Sequence, residues 1–219
     1  MKKNFIILIT IITFVVSATS MAVDDYQGTT KNLYRKMKLS NKINYQLFEN
    51  ALTGYEKINS KTNGNFLTII DFSKPSTEKR FYVLDMKREK VFYETYVSHG
   101  VNTGNLNATK FSNRVSSRQS SLGFFLTSET YFGSKGYSLR LDGLEPGINS
   151  NARKRAIVIH GADYANPDFI KKTGRLGRSW GCPALPLGLN KEIIDTIKNG
   201  SVIFVNGNDL SYVQKSKYI

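Results

Sequence analysis

From Asn65 to Gly161 the chain repeats one texture: short runs dense in Phe, Tyr, Val, Ile and Leu, separated by clusters of small, polar and charged residues. The runs read NFLTIIDF, RFYVLDM, KVFYETYVS, LGFFLTSETYF, YSLRLDG and RAIVIHG. β-Branched and aromatic side chains suit a pleated surface, and turn residues at this spacing bring successive runs back beside one another. A mainly β domain with antiparallel pairing is therefore expected. RFYVLDMKREKVFYETYV should be a hairpin turning near Lys87 to Lys90, and SVIFVNG (201–207) adds a later strand.

Helices are expected at two places. In SNKINYQLFENALTGYEKI, the residues Ile43, Leu47, Phe48, Ala51, Leu52 and Tyr55 fall at helical spacing, with Ser40 as N-cap and Gly54 weakening the last turns. In LNKEIIDTIKNG, Ile193, Ile194 and Ile197 face inward and Gly200 is the stop. VNTGNLNATKFSNRVSSRQSS (101–121) is too long for an ordinary connection, so it is functional or mobile. A second polar loop spans Gly161 to Arg178, and the tail after Gly207 carries little pattern.

The chain opens with Lys2 and Lys3, an apolar run from Phe5 to Val16, and small residues including Ser20 and Ala22, the order of a secretory signal peptide. As a helix that run spans about 18 Å, against about 30 Å of bilayer core, so it does not read as an anchor. Cleavage near Ala22 leaves 197 residues exported to the periplasm or cell envelope, with no stable membrane insertion afterwards.

The formal charge of +14 falls to +12 once Lys2 and Lys3 are gone. The basic residues are scattered among acids, without a basic helix, zinc-knuckle spacing or an aromatic-glycine RNA signature, so no nucleic-acid partner is expected. An affinity for anionic envelope polymers remains. Nothing in the sequence sets an oligomeric state.

Cys182 is the only cysteine, in GRSWGCPAL (177–185), so no disulfide forms within the chain. Pro183 disfavours helical angles at Cys182, and Gly181 permits close approach of another backbone. Local sequence leaves two readings open: a buried thiol in a tight turn, or a nucleophile. A nucleophile needs a base or a positive neighbour. His160 ends the apolar run AIVIH, where a strand opens onto a loop, and lies 22 residues before Cys182. In a Cys-His pair the imidazole takes the thiol proton and later protonates the leaving amine. The backbone N–H groups of Gly181 and Cys182 are expected to hold the oxyanion. No carboxylate motif marks a third member, and a backbone carbonyl could orient the ring equally well. His99, in YVSHGVNTG, reads as a loop histidine bonding local backbone or as part of the site. A zinc site from His99, His160 and Cys182 has suitable ligand types but lacks paired spacing, so no metal or other cofactor is expected.

HGAD (160–163) followed by SWGCPAL (179–185) resembles the His-Gly and Ser-x-Gly-Cys signature of the L,D-transpeptidase catalytic-domain family, the YkuD-like fold. VSHG (97–100) and SSLGFF (120–125) resemble the strand segments flanking that family's active-site mouth, and the resemblance covers roughly Phe81 to Gly207. It implies a β-sandwich-like catalytic domain over 66–207, after a signal peptide (1–22) and a helical extension (23–65), with a C-terminal tail (208–219). It also implies a reaction on peptidoglycan stem peptides. Cys182 attacks the diamino-acid carbonyl of a tetrapeptide stem and releases the terminal D-alanine; a neighbouring stem amine takes the acyl group, giving a 3-3 cross-link, or water trims the stem.

By the same resemblance His160 is the general base, Ser179 and Gly181 shape the thiol's surroundings, and Gly161 gives clearance beside the histidine. Trp180, Arg178 and His99 are the remaining substrate-side candidates. The family's frequent pattern has a basic or amide residue two positions after the cysteine, where this chain has Ala184, and a branched apolar residue where it has Pro183. Arg175 or Arg178 could stand in for that basic residue, although each by itself reads first as an ordinary solvated charge. These departures motivate an alternative, a non-catalytic wall-binding protein that kept the fold. Papain-like enzymes have the opposite Cys-His order, and sortase-like enzymes carry Thr-x-Thr-Cys.

Overall fold

The computed structural model describes residues 27–59, 62 and 64–219. The expected signal peptide lies outside them. Strands β1 (Phe66–Asp71), β2 (Phe81–Asp85), β3 (Lys90–Thr95), β4 (Gly123–Gly133), β5 (Gly136–Gly143), β6 (Val158–Ala162), β7 (Ala184–Pro186) and β8 (Val202–Asn206) join in one sheet, ordered β3-β2-β1-β8-β4-β5-β6-β7. Pairing is antiparallel except between β1 and β8 and between β6 and β7. The β2–β3 hairpin turns over residues 86–89, as its sequence implies.

The two ends of the sheet meet. The chain leaving β3 reaches Ser98, whose N–H donates to Ala184 O at 2.9 Å, and Gly100 pairs with Ser179. The sheet therefore curls back on itself, which gives the mainly β, sandwich-like architecture expected of a YkuD-like domain. The last strand and the residues just before it are clamped from the far side by the 98–100 segment.

Helix α1 covers residues 27–36 and α2 covers Tyr45–Asn59. The cap of α2 is Asn44 rather than Ser40: Asn44 Oδ1 accepts the Gln46 N–H at 2.9 Å, satisfying a donor the helix cannot. The helix continues past Gly54 to Asn59, and the glycine permits its docking. A Cβ there would lie 2.0 Å from the Phe124 ring. Leu47, Phe48, Ala51 and Leu52 share one core with Leu67, Ile69, Phe124 and Phe204, and the last two rings stack at 4.5 Å.

Two short helices lie where the sequence was read as loop or tail, α3 (Pro167–Thr173) and α5 (Leu210–Lys215). Between them, α4 (Asn190–Ile197) buries Ile193, Ile194 and Ile197 as expected. Strand β6 is two-sided. Ile157 and Ile159 enter the main core, whereas Ala162, on the face shared by His160, packs with Ala165, Ala184 and Tyr164 in a second small cluster.

Candidate active site

Ser179 turns the chain that carries Cys182. Its Oγ donates to Cys182 O at 2.6 Å and accepts the Gly181 N–H at 3.0 Å. Gly181 adopts φ +121°, and a Cβ there would come 2.7 Å from Gln119 O, so both conformation and space require glycine. Ser120 Oγ joins the two sides by donating to Gly181 O and accepting the Gly100 N–H, each at 3.1 Å. The Cys182 thiol lies against the start of β6, donating to Ala156 O and accepting the Val158 N–H, both at 3.5 Å. Burial pushes its pKa up, against the pull of the Val158 N–H, Arg155 and Lys135. The thiol therefore rests protonated at neutral pH.

This turn corrects the expected oxyanion donors. The Gly181 N–H is already bound to Ser179 Oγ, so of the two amides only that of Cys182 is left without a partner among the described residues.

His160 is 2% exposed, and its Nδ1 is 2.9 Å from Gly161 O. A carbonyl only accepts, so Nδ1 carries the hydrogen and Nε2 of the neutral ring keeps its lone pair. Burial, reinforced by Lys135, lowers the imidazole pKa, while the Gly161 bond works the other way. The ring is thus neutral at physiological pH. Its cross-strand neighbours are small, Ser138 on β5 and Ala184 on β7. The β6–β7 register sets His160 beside Ala184, two residues beyond Cys182, while Val158, two residues before His160, touches the sulfur. His160 is thus on β6 and Cys182 on the turn that leads into β7.

Gly161 serves packing: a Cβ there would lie 2.6 Å from the Asn190 side chain and 2.7 Å from that of Leu187. Its carbonyl supplies the orienting group that no carboxylate motif offered. Trp180 is 72% exposed, with the Arg118 guanidinium 4.5 Å from its ring centre, so it stands at the rim of the site rather than in the core.

His99 is not brought to the site as a ligand. It is 1% exposed, accepts from Arg80 Nη2 through Nδ1 at 2.9 Å, and faces Gly104 O through Nε2 at 3.3 Å. Burial and the Arg80 charge lower its pKa to about 4. With both nitrogens engaged it is available neither to substrate nor to zinc, and among the described residues no three His, Cys, Asp or Glu side chains group as a metal site. Its contribution is to hold backbone. Arg80, fully buried, donates to Val97 O and Lys74 O as well as to His99, fixing the 97–100 segment on which Ser179 and Ala184 pair.

Arg178 also staples backbone, with Nη1 3.1 Å from Gly104 O, and Arg175 bonds Leu176 O at 2.7 Å. The arginine beside the thiol is a third one, Arg155, which interacts electrostatically with Cys182. Tyr164 is a second residue the motif search missed; burial and the nearby Cys182 raise its phenol to about 12. Neither has a local signal, because loops wide apart in sequence bring them to the sulfur.

A comparison with curated proteins gave no match. Among solved structures, the chain is similar to an L,D-transpeptidase from Mycobacterium smegmatis, at 14% identity over 65% of this chain and 59% of that one, with a TM-score of 0.41. It is also similar to an L,D-transpeptidase from Xylanimonas cellulosilytica (15% identity, 67% and 62%, TM-score 0.38) and one from Stackebrandtia nassauensis (14%, 82% and 77%, 0.39). The chain thus aligns with somewhat under two thirds of the first of these structures. The family profile described as L,D-transpeptidase catalytic domain matches residues 39–206, a span that runs from before α2 to the end of β8 and holds both His160 and Cys182. The chain belongs to the L,D-transpeptidase catalytic domain family.

Proposed function

We propose that the protein is an exported cysteine L,D-transpeptidase that remodels peptidoglycan stem peptides. The observation that carries this reading is the β6–β7 register, which sets His160 beside Ala184 while the Cys182 sulfur bonds the backbone of β6 at Val158, together with a protonated thiol and a neutral imidazole whose Nδ1 is held by Gly161 O. The chemistry follows from those protonation states. As the donor stem docks, His160 Nε2 takes the Cys182 proton and Sγ bonds to the diamino-acid carbonyl carbon. The Cys182 N–H faces the developing oxyanion. Collapse breaks the C–N bond, His160 returns the proton to the departing D-alanine amine, and a thioester remains. An amine from a second stem attacks the thioester, loses its proton to His160, and leaves a 3-3 cross-link with the thiol restored. Water in that position trims the stem instead.

Ser179 and Gly181 set the turn that aims the thiol, and Trp180 with Arg118 offers a stacking surface at the rim for the donor. His160 must be neutral to act, so activity is expected to fall on the acid side as the imidazole titrates, below the ordinary histidine value of about 6.5.

Comparing muropeptides by mass spectrometry from cells expressing the wild type or Cys182→Ala tests the proposal. The wild type should raise 3-3 cross-links and trimmed stems and the variant should not; equal levels would sink it.

A further inference from the structure

A thiolate in a partly buried turn needs compensation, because taking an unpaired charge out of water is costly. The titratable groups that interact with Cys182 come from three places. Tyr164 follows β6, Lys135 lies in the exposed turn between β4 and β5, and Arg155 precedes β6. Of the two cations, only Arg155 is partly buried.

The Arg155 fork is spread over the long polar segment. Nη1 donates to Ser112 O at 2.6 Å and to Ser121 Oγ; Nη2 donates to Ser117 Oγ at 3.2 Å and to Gln119 O. All four partners are neutral. No Asp or Glu occurs anywhere from Thr95 to Ser128, so the segment it holds brings no acid of its own. Gln119 O is also the atom against which Gly181 packs, and Arg155 Nη2 would lie 3.4 Å from a Cβ at Gly181. The cation, the wall and the cysteine turn are one assembly.

We propose that Arg155 is a positioning residue of the thiol site: its guanidinium anchors the 112–121 wall against the Gly181–Cys182 turn and is the counter-ion of the Cys182 thiolate. This takes up, from a different strand boundary, the positive charge that Arg175 and Arg178 do not bring to the sulfur. It rests on Cys182 being the nucleophile of the proposed function, yet it concerns the thiol alone and is testable without any peptidoglycan substrate.

Cys182 is the only cysteine, so the rate of its alkylation by iodoacetamide, followed by intact mass against pH, reports one thiolate. Arg155→Gln should react about tenfold more slowly than wild type at pH 7, the effect of one pKa unit, with the difference closing at high pH once both thiols ionise. Arg155→Lys keeps the charge and should stay within about threefold of wild type at pH 7, a small part of one pKa unit. Lys135→Gln, in the exposed turn, should shift the profile less than Arg155→Gln. An Arg155→Gln profile superimposed on wild type, or slowed by one factor at every pH, overturns the counter-ion role. If circular dichroism shows Arg155→Gln unfolded, Arg155→Lys decides: coincidence with wild type supports the proposal, and a tenfold loss at pH 7 overturns it. A negative muropeptide result for Cys182→Ala would leave this readout untouched, so the two failures are separable.

Discussion

At Gly181 three demands fall on one residue: a left-handed φ, contact with Gln119 O, and an N–H given to Ser179. A side chain in that conformation costs about 1–2 kcal/mol before any clash is counted. Gly181→Ala should lower the unfolding free energy read from urea titration by at least that amount and slow Cys182 alkylation, because relieving the contact moves the turn that carries the thiol. Unchanged stability and reactivity would show that the turn is not under this constraint. Ser179 illustrates the same economy. Its hydroxyl occupies both an amide and a carbonyl of the cysteine turn, and so takes from the oxyanion an N–H that sequence reasoning assigned to it. That misassignment has a physical cause: a Ser-x-Gly spacing identifies which groups are near, while the direction of a hydroxyl hydrogen bond emerges only once the turn is closed.

At the level of elements, the 97–100 segment depends on a histidine that must stay neutral. His99 titrates at about 4 in the fold, against an unfolded value near 6.5. Above pH 6.5 neither state binds the proton. Between pH 6.5 and 4 the unfolded chain binds it and the folded chain does not, so stability falls as pH drops through that window. The loss is on the order of 3 kcal/mol, complete once both forms are protonated below about pH 4. His99→Gln, whatever its stability at pH 7.5, should lose correspondingly less on going to pH 4.5, as read from urea midpoints at the two values. His160 contributes in the same direction in both proteins and cancels. Equal losses would mean that His99 is not buried in the neutral form.

Short helices were the elements hardest to read. Pro167 at the first turn and Gly174 as a left-handed C-cap are ordinary boundary signals for α3, and Asp209 accepts the Ser211 N–H at the start of α5. Six or seven residues, however, give too few turns for a hydrophobic period, and helices this short owe their stability to what they dock on. The strands read well because alternation and turn residues are local. The order of His160 and Cys182 and their flanking glycines are local features in the same sense. Arg155 was not legible, since its partners at Ser112 to Ser121 lie 34 or more residues away and only the closed sheet brings them together.

For the molecule as a whole, the tail is part of the core. Buried Glu145 accepts the Phe124 N–H at 2.7 Å, the Tyr212 hydroxyl at 3.0 Å and the Ser216 hydroxyl at 2.5 Å, tying β4, the loop after β5 and α5 to one carboxylate. Tyr212→Phe removes one donor to a buried charge and should cost about 1.5–3 kcal/mol in chemical unfolding. A shift within error would place the tail outside the cooperative unit. Composition and periodicity over 208–219 do not show this, because the anchor is a single residue 67 positions upstream.

The bridge between Ser98 and Ala184 has a final consequence for how a peptide reaches the thiol. An open strand beside a nucleophile invites an extended ligand to bind by lengthening the sheet, main chain to main chain. Here the outer edge of β7 is already taken by the protein's own backbone, through Ser98 and, just before β7, through the pairing of Ser179 with Gly100. Under the proposed function, a donor peptide would come to Cys182 from above that edge and meet side chains such as Trp180 and Arg118, so its backbone amides would be free to differ in hand or spacing from those of a strand.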